Sequence, residues 1–241
     1  AGVTTPVLVL MPLWQLDRAD PLYRLIVGGR LHLTLHSQAQ AQDLAAHAAR
    51  LGVDLPVHVQ VDTGLSRGGC LPDEAEALVR YVTGTPRLRL AGVMTHFSSP
   101  GGAGADLAFS REQARLFKQW LERTRPLFHA GLRPGQRPLP VQVHAANTVA
   151  ALRHRAWHAT MARIGQGLYG YGAEVLPRGE DDLAGGMLEP AIRWVSKIVH
   201  VQSVPAGWPV GYDRTFTTAR PSRIALVPVG YANGYPRDLS N

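Results

Sequence analysis

The chain has 241 residues, of which 45% are hydrophobic, and its formal net charge is +7. This length accommodates one barrel domain or two smaller domains, and this apolar content excludes a largely disordered chain. Two of the 25 basic residues are lysines, and the arginines are scattered rather than clustered with aromatic residues, so we expect no nucleic-acid partner. The single cysteine, Cys70, excludes an internal disulfide and favours a cytoplasmic location. No apolar run reaches the roughly 18 residues of a spanning helix, so we expect no membrane partner.

Short apolar runs alternate with amphipathic runs over the first part of the chain. Strands are predicted at 7–10, 31–35, 57–61, 88–94 and 141–143. Helices are predicted after Ser37 and Ser110, each with a glutamine three residues later as in a capping box, over 73–82, and from Thr148.

This alternation predicts a parallel sheet, and polar residues follow the strands at the edge where a (β/α) barrel carries its active site. These residues are His36, Asp62, Arg67, His96, Asn147 and Arg163. An open doubly wound sheet would alternate in the same way, but the chain has no G-x-G-x-x-G loop to favour it.

The pattern changes at residues 177–186, a polar, Gly-rich stretch that we interpret as a linker. Beyond it, strands are predicted at 192–201, 209–217 and 224–229 with no helix between them. The sequence therefore predicts two domains, an α/β domain over 1–186 and a β-rich domain over 187–241.

Two loops of the predicted α/β domain favour an anionic ligand. The first reads HAANT at 144–148, where Asn147 or Thr148 is a good N-cap for a helix whose N–H groups converge. The second reads RIGQGLYG at 163–170, where Arg163 is predicted at a strand end and Gly165 in a turn that exposes further N–H groups. We expect Thr148 and the Gly165 turn to converge on one phosphate group, which indicates a phosphorylated cofactor, although ordinary strand-to-helix loops have the same features.

These loops, together with DTGLSRGG at 62–69, MTHF at 94–97, VGYDRTF at 210–216 and VPVGYANGYPR at 227–237, resemble the alanine racemases. The motifs occur in the family's order and cover most of the chain. The resemblance implies a (β/α)8 TIM-type barrel, incomplete here, followed by a β-rich C-terminal domain. It also implies a pyridoxal 5'-phosphate cofactor, a head-to-tail homodimer, and interconversion of L- and D-alanine for peptidoglycan. A serine or broad-specificity racemase, or a non-catalytic homologue that binds the cofactor, remains an alternative.

The resemblance also implies three groups of site residues. Catalytic residues are Tyr212, His96 and Arg67; cofactor-binding residues are Arg163, His144, Asn147, Thr148, Gly165 and Gln166; and Tyr231 and Arg237 line the passage for substrate. Tyr212 would move the α-proton on one face of the substrate. Because a free tyrosine has a pKa of ~10, this role requires cationic neighbours, which the resemblance supplies through His96 and Arg163. His144 and Asn147 would orient Arg163, which would face the pyridine nitrogen.

The chain departs from the family pattern near Arg67 and in one later motif. Gln60 stands where the family often has a carbamylated lysine that supports the arginine matching Arg67. Glutamine is not carbamylated, so we expect another group or an anion to support Arg67. Asn233 stands where the family usually has aspartate, in a part of the motif that carries no catalytic group.

Two kinds of reactive group are expected to be absent from this chain. The family's cofactor-binding lysine, in a K-x-x-x-Y-G setting, has no match, and Lys118 and Lys197 lie in other settings. We therefore expect a part of a longer protein that is inactive by itself. No metal site is expected, because His154 and His158 have no third ligand in an H-E-x-x-H pattern.

Overall fold

The computed structural model describes residues 4–130, 139–172 and 188–239. The chain divides into two compact units, Ala1–Ala191 and Ile192–Asn241, and each is described by itself. The stretch at 177–186 that we interpret as a linker lies outside the described residues, so the predicted domain boundary at 186/187 stays a prediction.

The first unit is built on a sheet of five parallel strands that follow one another in chain order. They are β1 (Val7–Val9), β2 (Leu31–Leu35), β3 (Leu55–Gln60), β4 (Leu88–Met94) and β5 (Gln142–His144). Every neighbouring pair is parallel, and the strands lie in the sheet in the same order as in the sequence. This order is that of a barrel wall, whereas a doubly wound sheet reverses its strand order at a switch point. The predicted parallel sheet and its strands are therefore confirmed, with small shifts at the ends.

Helices connect these strands and follow the last of them, and all except the first, which the sequence analysis missed, lie on predicted amphipathic runs. They are α1 (Tyr23–Val27), α2 (Gln38–Leu51), α3 (Pro72–Gly84), α4 (Ala105–Thr124) and α5 (Thr148–Arg153). The Ser37 side chain caps α2 by accepting a hydrogen bond from the Gln40 backbone N–H at 3.1 Å. Asn147 caps α5 by accepting from the Ala150 N–H at 3.0 Å. Both predicted caps are therefore confirmed.

The prediction that Ser110 caps a helix is wrong. The helix begins at Ala105, so Ser110 lies inside α4, where it is fully buried. The matching glutamine contacts a neighbouring loop instead. Gln113 Oε1 accepts from the Ser98 N–H at 3.1 Å, and its Nε2 donates to the His96 carbonyl at 3.4 Å. The sequence pattern that resembles a cap therefore holds the loop after β4 in place.

The two faces of the sheet differ in chemistry because side chains alternate along each strand. One face packs apolar residues against the helices, and Val57, Val59 and Val93 are fully buried there. The other face carries buried polar side chains. They are Thr34, His58, Gln60 and His144. All six residues of β3 are buried, as expected for a strand covered on both sides. The polar face leads directly to the loops at the carboxyl ends of the strands.

The second unit is β-rich, as predicted, but its strands are shorter than expected. Strand β6 (His200–Val204) pairs antiparallel with β9 (Ser222–Leu226), and β7 (Pro209–Val210) pairs with β8 (Phe216–Thr217). The strand predicted at 209–217 is interrupted by a 3-10 turn. The part predicted at 192–199 is wrong, because those residues form no strand, although the Val199 N–H donates to the Leu226 carbonyl at 2.9 Å just before β6 begins. Within the described ranges, no helix is both long and apolar enough to cross a membrane.

Candidate active site at the carboxyl ends of the strands

Arg163 lies at the centre of the polar groups that the first unit brings together. It belongs to an irregular segment rather than to the predicted strand, and its backbone N–H donates to the Ala146 carbonyl at 2.9 Å. Its Nη1 donates to His144 Nδ1 at 2.7 Å, and its Nη2 donates to the Thr95 carbonyl at 2.8 Å and the Ala145 carbonyl at 3.0 Å. These contacts fix the plane of the guanidinium group.

Among the described residues, one N–H group of Arg163 has no hydrogen-bond partner. Its Nη2 also contacts His96 Nδ1 at 3.2 Å, so both Nη atoms are occupied. Its Nε, in contrast, is buried and has no hydrogen-bond partner among the described residues. A buried N–H without an acceptor is costly, so an acceptor from a ligand is expected at this position.

The charges near Arg163 are positive. Burial lowers the pKa of Arg163 to about 10, and the charge of Arg67 contributes to that lowering, so the guanidinium still keeps its charge near neutral pH. Burial, followed by the charges of Arg163 and Arg67, lowers the pKa of His96 to about 4. Burial and Arg163 lower the pKa of His144 to about 2. Both histidines are therefore neutral at neutral pH, and their Nδ1 atoms accept from Arg163.

Thr148 and the turn after Arg163 meet at one hydroxyl group. Thr148 Oγ1 accepts hydrogen bonds from the backbone N–H groups of Gly165 at 3.0 Å and Gly167 at 3.3 Å. A Cβ atom at Gly167 would lie only 3.0 Å from Thr148 Cγ2, so the absence of a side chain permits this approach. Gln166 begins the 3-10 turn Gln166–Tyr169. The two loops therefore converge, as predicted, whereas the phosphate that they were predicted to hold stays a prediction.

The loop that carries Arg67 is held by its own backbone contacts. Asp62 Oδ1 accepts from the N–H groups of Gly64 and Leu65, both at 2.9 Å, and Gln60 Nε2 donates to the Gly68 carbonyl at 2.8 Å. Arg67 itself is exposed. Gln60 therefore supports the backbone of this loop. The expectation that another group or an anion supports the Arg67 guanidinium stays a prediction.

The remaining predicted residues lie outside this cluster. Tyr212 belongs to the second unit, in the turn Tyr212–Arg214, and is 97% exposed. Tyr231 is exposed in the turn Tyr231–Asn233, and the side chain of Arg237 lies outside the described part of the chain. The Lys118 side chain is 78% exposed on α4, 4.0 Å from Glu122 Oε1, as its surroundings predict. The roles assigned to the two tyrosines and to Arg237 stay predictions.

Sequence reasoning missed two histidines that connect to this cluster. His58 Nδ1 lies 2.9 Å from His144 Nε2, and His32 Nδ1 lies 3.0 Å from His58 Nε2. The signal in the sequence was the alternation in Leu31-His32-Leu33 and Val57-His58-Val59, which places each histidine on the face opposite its apolar neighbours.

Consecutive parallel strands, with polar loops gathered at their carboxyl ends, are typical of a barrel-type protein. The family model "Alanine racemase, N-terminal domain" matches residues 1–173, and "Alanine racemase, C-terminal domain" matches 191–241. The chain belongs to the alanine racemase family, and its fold is that family's barrel, represented here by five strands, followed by the C-terminal β domain.

Individual relatives agree with this assignment. An alanine racemase of Desulfovibrio desulfuricans is 35% identical over 241 residues, which are 100% of this chain and 59% of the relative. The crystal structure of alanine racemase from E. faecalis has a TM-score of 0.73 at 30% identity and covers 99% of this chain and 58% of its own. One from Bartonella henselae, described with covalently bound pyridoxal phosphate, is 23% identical with a TM-score of 0.67 over 97% of this chain and 57% of its own, a likeness of fold. The chain thus spans about three fifths of the length of these relatives.

Proposed function

We propose that the whole protein is a pyridoxal-phosphate-dependent racemase that interconverts L- and D-alanine. The observation that carries the proposal is the guanidinium of Arg163, fixed by His144, His96 and two carbonyl groups while its buried Nε has no partner among the described residues. Membership of the alanine racemase family supports the same activity.

The residues present fit this cofactor at both of its ends. Arg163 Nε would donate to the pyridine nitrogen, and because a guanidinium group only donates, that nitrogen would stay unprotonated. The Thr148 hydroxyl proton and the N–H group of the exposed Gln166 would hold the phosphate. The N–H group of Gly165, which donates to Thr148 Oγ1 in this structure, would exchange that bond for one to the phosphate. Pyridoxal phosphate, when bound, supplies the electron sink for the electron pair left when a proton leaves the α-carbon.

His96 and Arg67 would act on the reacting end of the site. His96 Nδ1 accepts from Arg163, so in the neutral ring the proton is on Nε2, which is free to donate to a phenol oxygen. In the proposal, that phenol is Tyr212 of a second subunit, and it moves the α-proton on one face. Arg67, exposed and near Arg163, would bind the substrate carboxylate.

The wider features of the family belong to the same proposal. The protein would form a head-to-tail homodimer in which each second unit completes the partner's site, with Tyr231 and Arg237 lining the passage for substrate. Its D-alanine would be used for peptidoglycan in the cytoplasm, a location that the lone buried thiol of Cys70 supports. The boundary between the two domains would lie in the sequence between residue 173, where the first family match ends, and residue 191, where the second begins.

The test is cofactor binding and racemisation by the whole protein and by two matched variants. Thr148→Val removes the hydroxyl at nearly constant volume, and Thr148→Ser keeps it. We expect Thr148→Val to weaken pyridoxal phosphate binding, followed by absorbance, by roughly tenfold or more, since one charge-assisted hydrogen bond is worth about 1.5–3 kcal/mol. Thr148→Ser should bind nearly as the wild type.

Three outcomes would contradict the proposal in different ways. Equal cofactor binding by Thr148→Val and wild type would place the phosphate elsewhere. Tight cofactor binding without racemisation of alanine would identify a non-catalytic homologue. A higher kcat/KM for serine than for alanine would identify a serine or broad-specificity racemase.

A further inference from the structure

Three histidines form a continuous line behind Arg163, which we call the histidine column: His32 on β2, His58 on β3 and His144 on β5. His32 Nδ1 is 3.0 Å from His58 Nε2, and His58 Nδ1 is 2.9 Å from His144 Nε2. The last ring contacts Arg163, with His144 Nδ1 2.7 Å from Nη1. His58 is 2% exposed and His144 is 0% exposed, so solvent does not replace these contacts.

The arginine determines which nitrogen carries the proton in every ring. A guanidinium group only donates, so His144 Nδ1 must accept, and the neutral His144 ring carries its proton on Nε2. That Nε2–H donates to His58 Nδ1, and the same reasoning leaves His58 with a proton on Nε2, which donates to His32 Nδ1. All three rings therefore have the same tautomer, and each directs its Nδ1 along the column toward Arg163 and its Nε2–H away from it.

The charges around the column keep it neutral. Arg163 and, beyond it, Arg67 lie at one end, and Arg89 acts on His32 and His58 at the other. Burial is the largest cause that lowers the pKa of each ring, and it brings His58 to about 3 and His144 to about 2. A second proton on any ring would also place two donors face to face.

We propose that the histidine column is a positioning device, in which His32 and His58 fix the ring of His144 and through it the guanidinium of Arg163. Each ring turns its Nδ1 lone pair, the negative end of its dipole, toward the arginine. Three aligned dipoles stabilise a buried cation, and hydrogen bonds in such a chain strengthen one another. The role of Arg163 in catalysis rests on the proposed function, but its positioning does not.

A glycine on β4, Gly92, leaves the space that the His58 ring occupies. Gly92 pairs with His58 across β3 and β4, at a shift of register between Val57 and His58. A Cβ atom at Gly92 would overlap the His58 ring. Gly92→Ala therefore displaces the middle of the column while every histidine remains.

The proposal is tested by nuclear magnetic resonance of the whole protein labelled with 15N at histidine and arginine side chains, without cofactor. We expect all three column rings to carry the proton on Nε2 at pH 8, and the rings of His58 and His144 to remain in that state at pH 5.5. We also expect separate Nη resonances for Arg163, since a guanidinium held on both Nη atoms rotates slowly. His58→Phe should average these resonances, Gly92→Ala should do the same, and His58→Gln, which retains a donor and an acceptor, should largely restore them.

A control separates this effect from general damage to the fold. His47→Phe, at a half-buried position on α2 where the His47 ring contacts Arg50 and not the column, should leave the Arg163 resonances unchanged. With cofactor added, His58→Phe should shift the absorbance spectrum and lower kcat by roughly tenfold, a typical effect of losing a partner behind an active-site group. A proton on Nδ1 of His58 or His144, or unaltered Arg163 resonances in a folded His58→Phe variant, would overturn the proposal. Absent racemisation with intact resonances would overturn only the proposed function.

Discussion

Two arginines of the candidate site are held in opposite ways. Arg163 is fixed through its side chain, by two histidines and two carbonyl groups, and its charge is largely buried. Arg67 is exposed, and the contacts that fix it belong to the backbone of its loop, through Asp62 and Gln60. A buried charge loses its hydration and needs acceptors arranged around it, whereas an exposed charge keeps water as a partner. The two sites should therefore respond differently to substitution, and the difference can be measured.

The largest effect is expected when the buried charge is removed. Arg163→Gln keeps some hydrogen-bonding capacity but removes the cation, and it leaves the Thr95 and Ala145 carbonyl groups with fewer donors. We expect kcat for alanine racemisation to fall roughly a hundred- to a thousandfold, the usual loss for one fixed electrostatic group at a reacting centre. Arg155→Gln, at an exposed position nearby in the chain, is the control. A variant of Arg163 within threefold of the wild type would show that its charge has no part in the reaction.

The next effect is the dependence of stability on pH. We expect it from the buried histidines that hold Arg163 and not from the exposed loop that carries Arg67. Burial holds the pKa of His58 at about 3 and of His144 at about 2, below the ordinary value of 6.5. The unfolded chain therefore binds more protons once the pH falls below about 6.5. Stability is complete above that pH and decreases below it, by about 1.4 kcal/mol per pH unit for each histidine until its folded pKa is reached.

Urea unfolding at pH 7 and pH 5.5 measures this slope. His58→Phe should lower the free energy of unfolding at pH 7 but reduce its dependence on pH, since one of the two buried rings no longer takes up a proton on unfolding. His47→Phe is again the control. Wild-type protein that is equally stable at both pH values would contradict the buried, neutral state of the column.

The sequence predicted the parts of this arrangement that depend on local pattern. Alternating apolar residues predicted the parallel strands, and the loops at Thr148 and Gly165 were predicted to converge, as they do. The link between His58 and His144 depends on strand register and on the space left by Gly92, neither of which local periodicity contains. The prediction that Ser110 caps a helix failed for a related reason: the S-x-x-Q pattern is local, and here it occurs inside a helix instead of at its start.

Other errors have the same physical origin. The apolar run at 192–199 predicted a strand, but an extended segment becomes one only where a neighbour offers a ladder of backbone hydrogen bonds, and a single bond, from the Val199 N–H to the Leu226 carbonyl at 2.9 Å, does not make one. Arg163 was predicted at a strand end, yet its segment makes isolated contacts such as that with the Ala146 carbonyl instead of a ladder. The residue types at the site were readable from the sequence, whereas the contacts that hold them depend on tertiary structure.

The smallest effect is expected at the loop of the exposed arginine. Gln60 is buried and its Nε2 donates to the Gly68 carbonyl at 2.8 Å, next to Arg67 in the chain. Gln60→Met keeps the length of the side chain and removes only this donor, so we expect the free energy of unfolding to fall by about 1 kcal/mol. Because the loop then samples other positions for Arg67, KM for alanine should rise roughly threefold while kcat changes little, equivalent to about 0.7 kcal/mol. Gln42→Met, on the exposed face of α2, controls for the new methionine.

A fall in kcat as large as that of Arg163→Gln would mean that Gln60 acts on the reacting groups and that the two arginines are not held independently. An unchanged KM would mean that the contacts of Asp62 hold the loop by themselves.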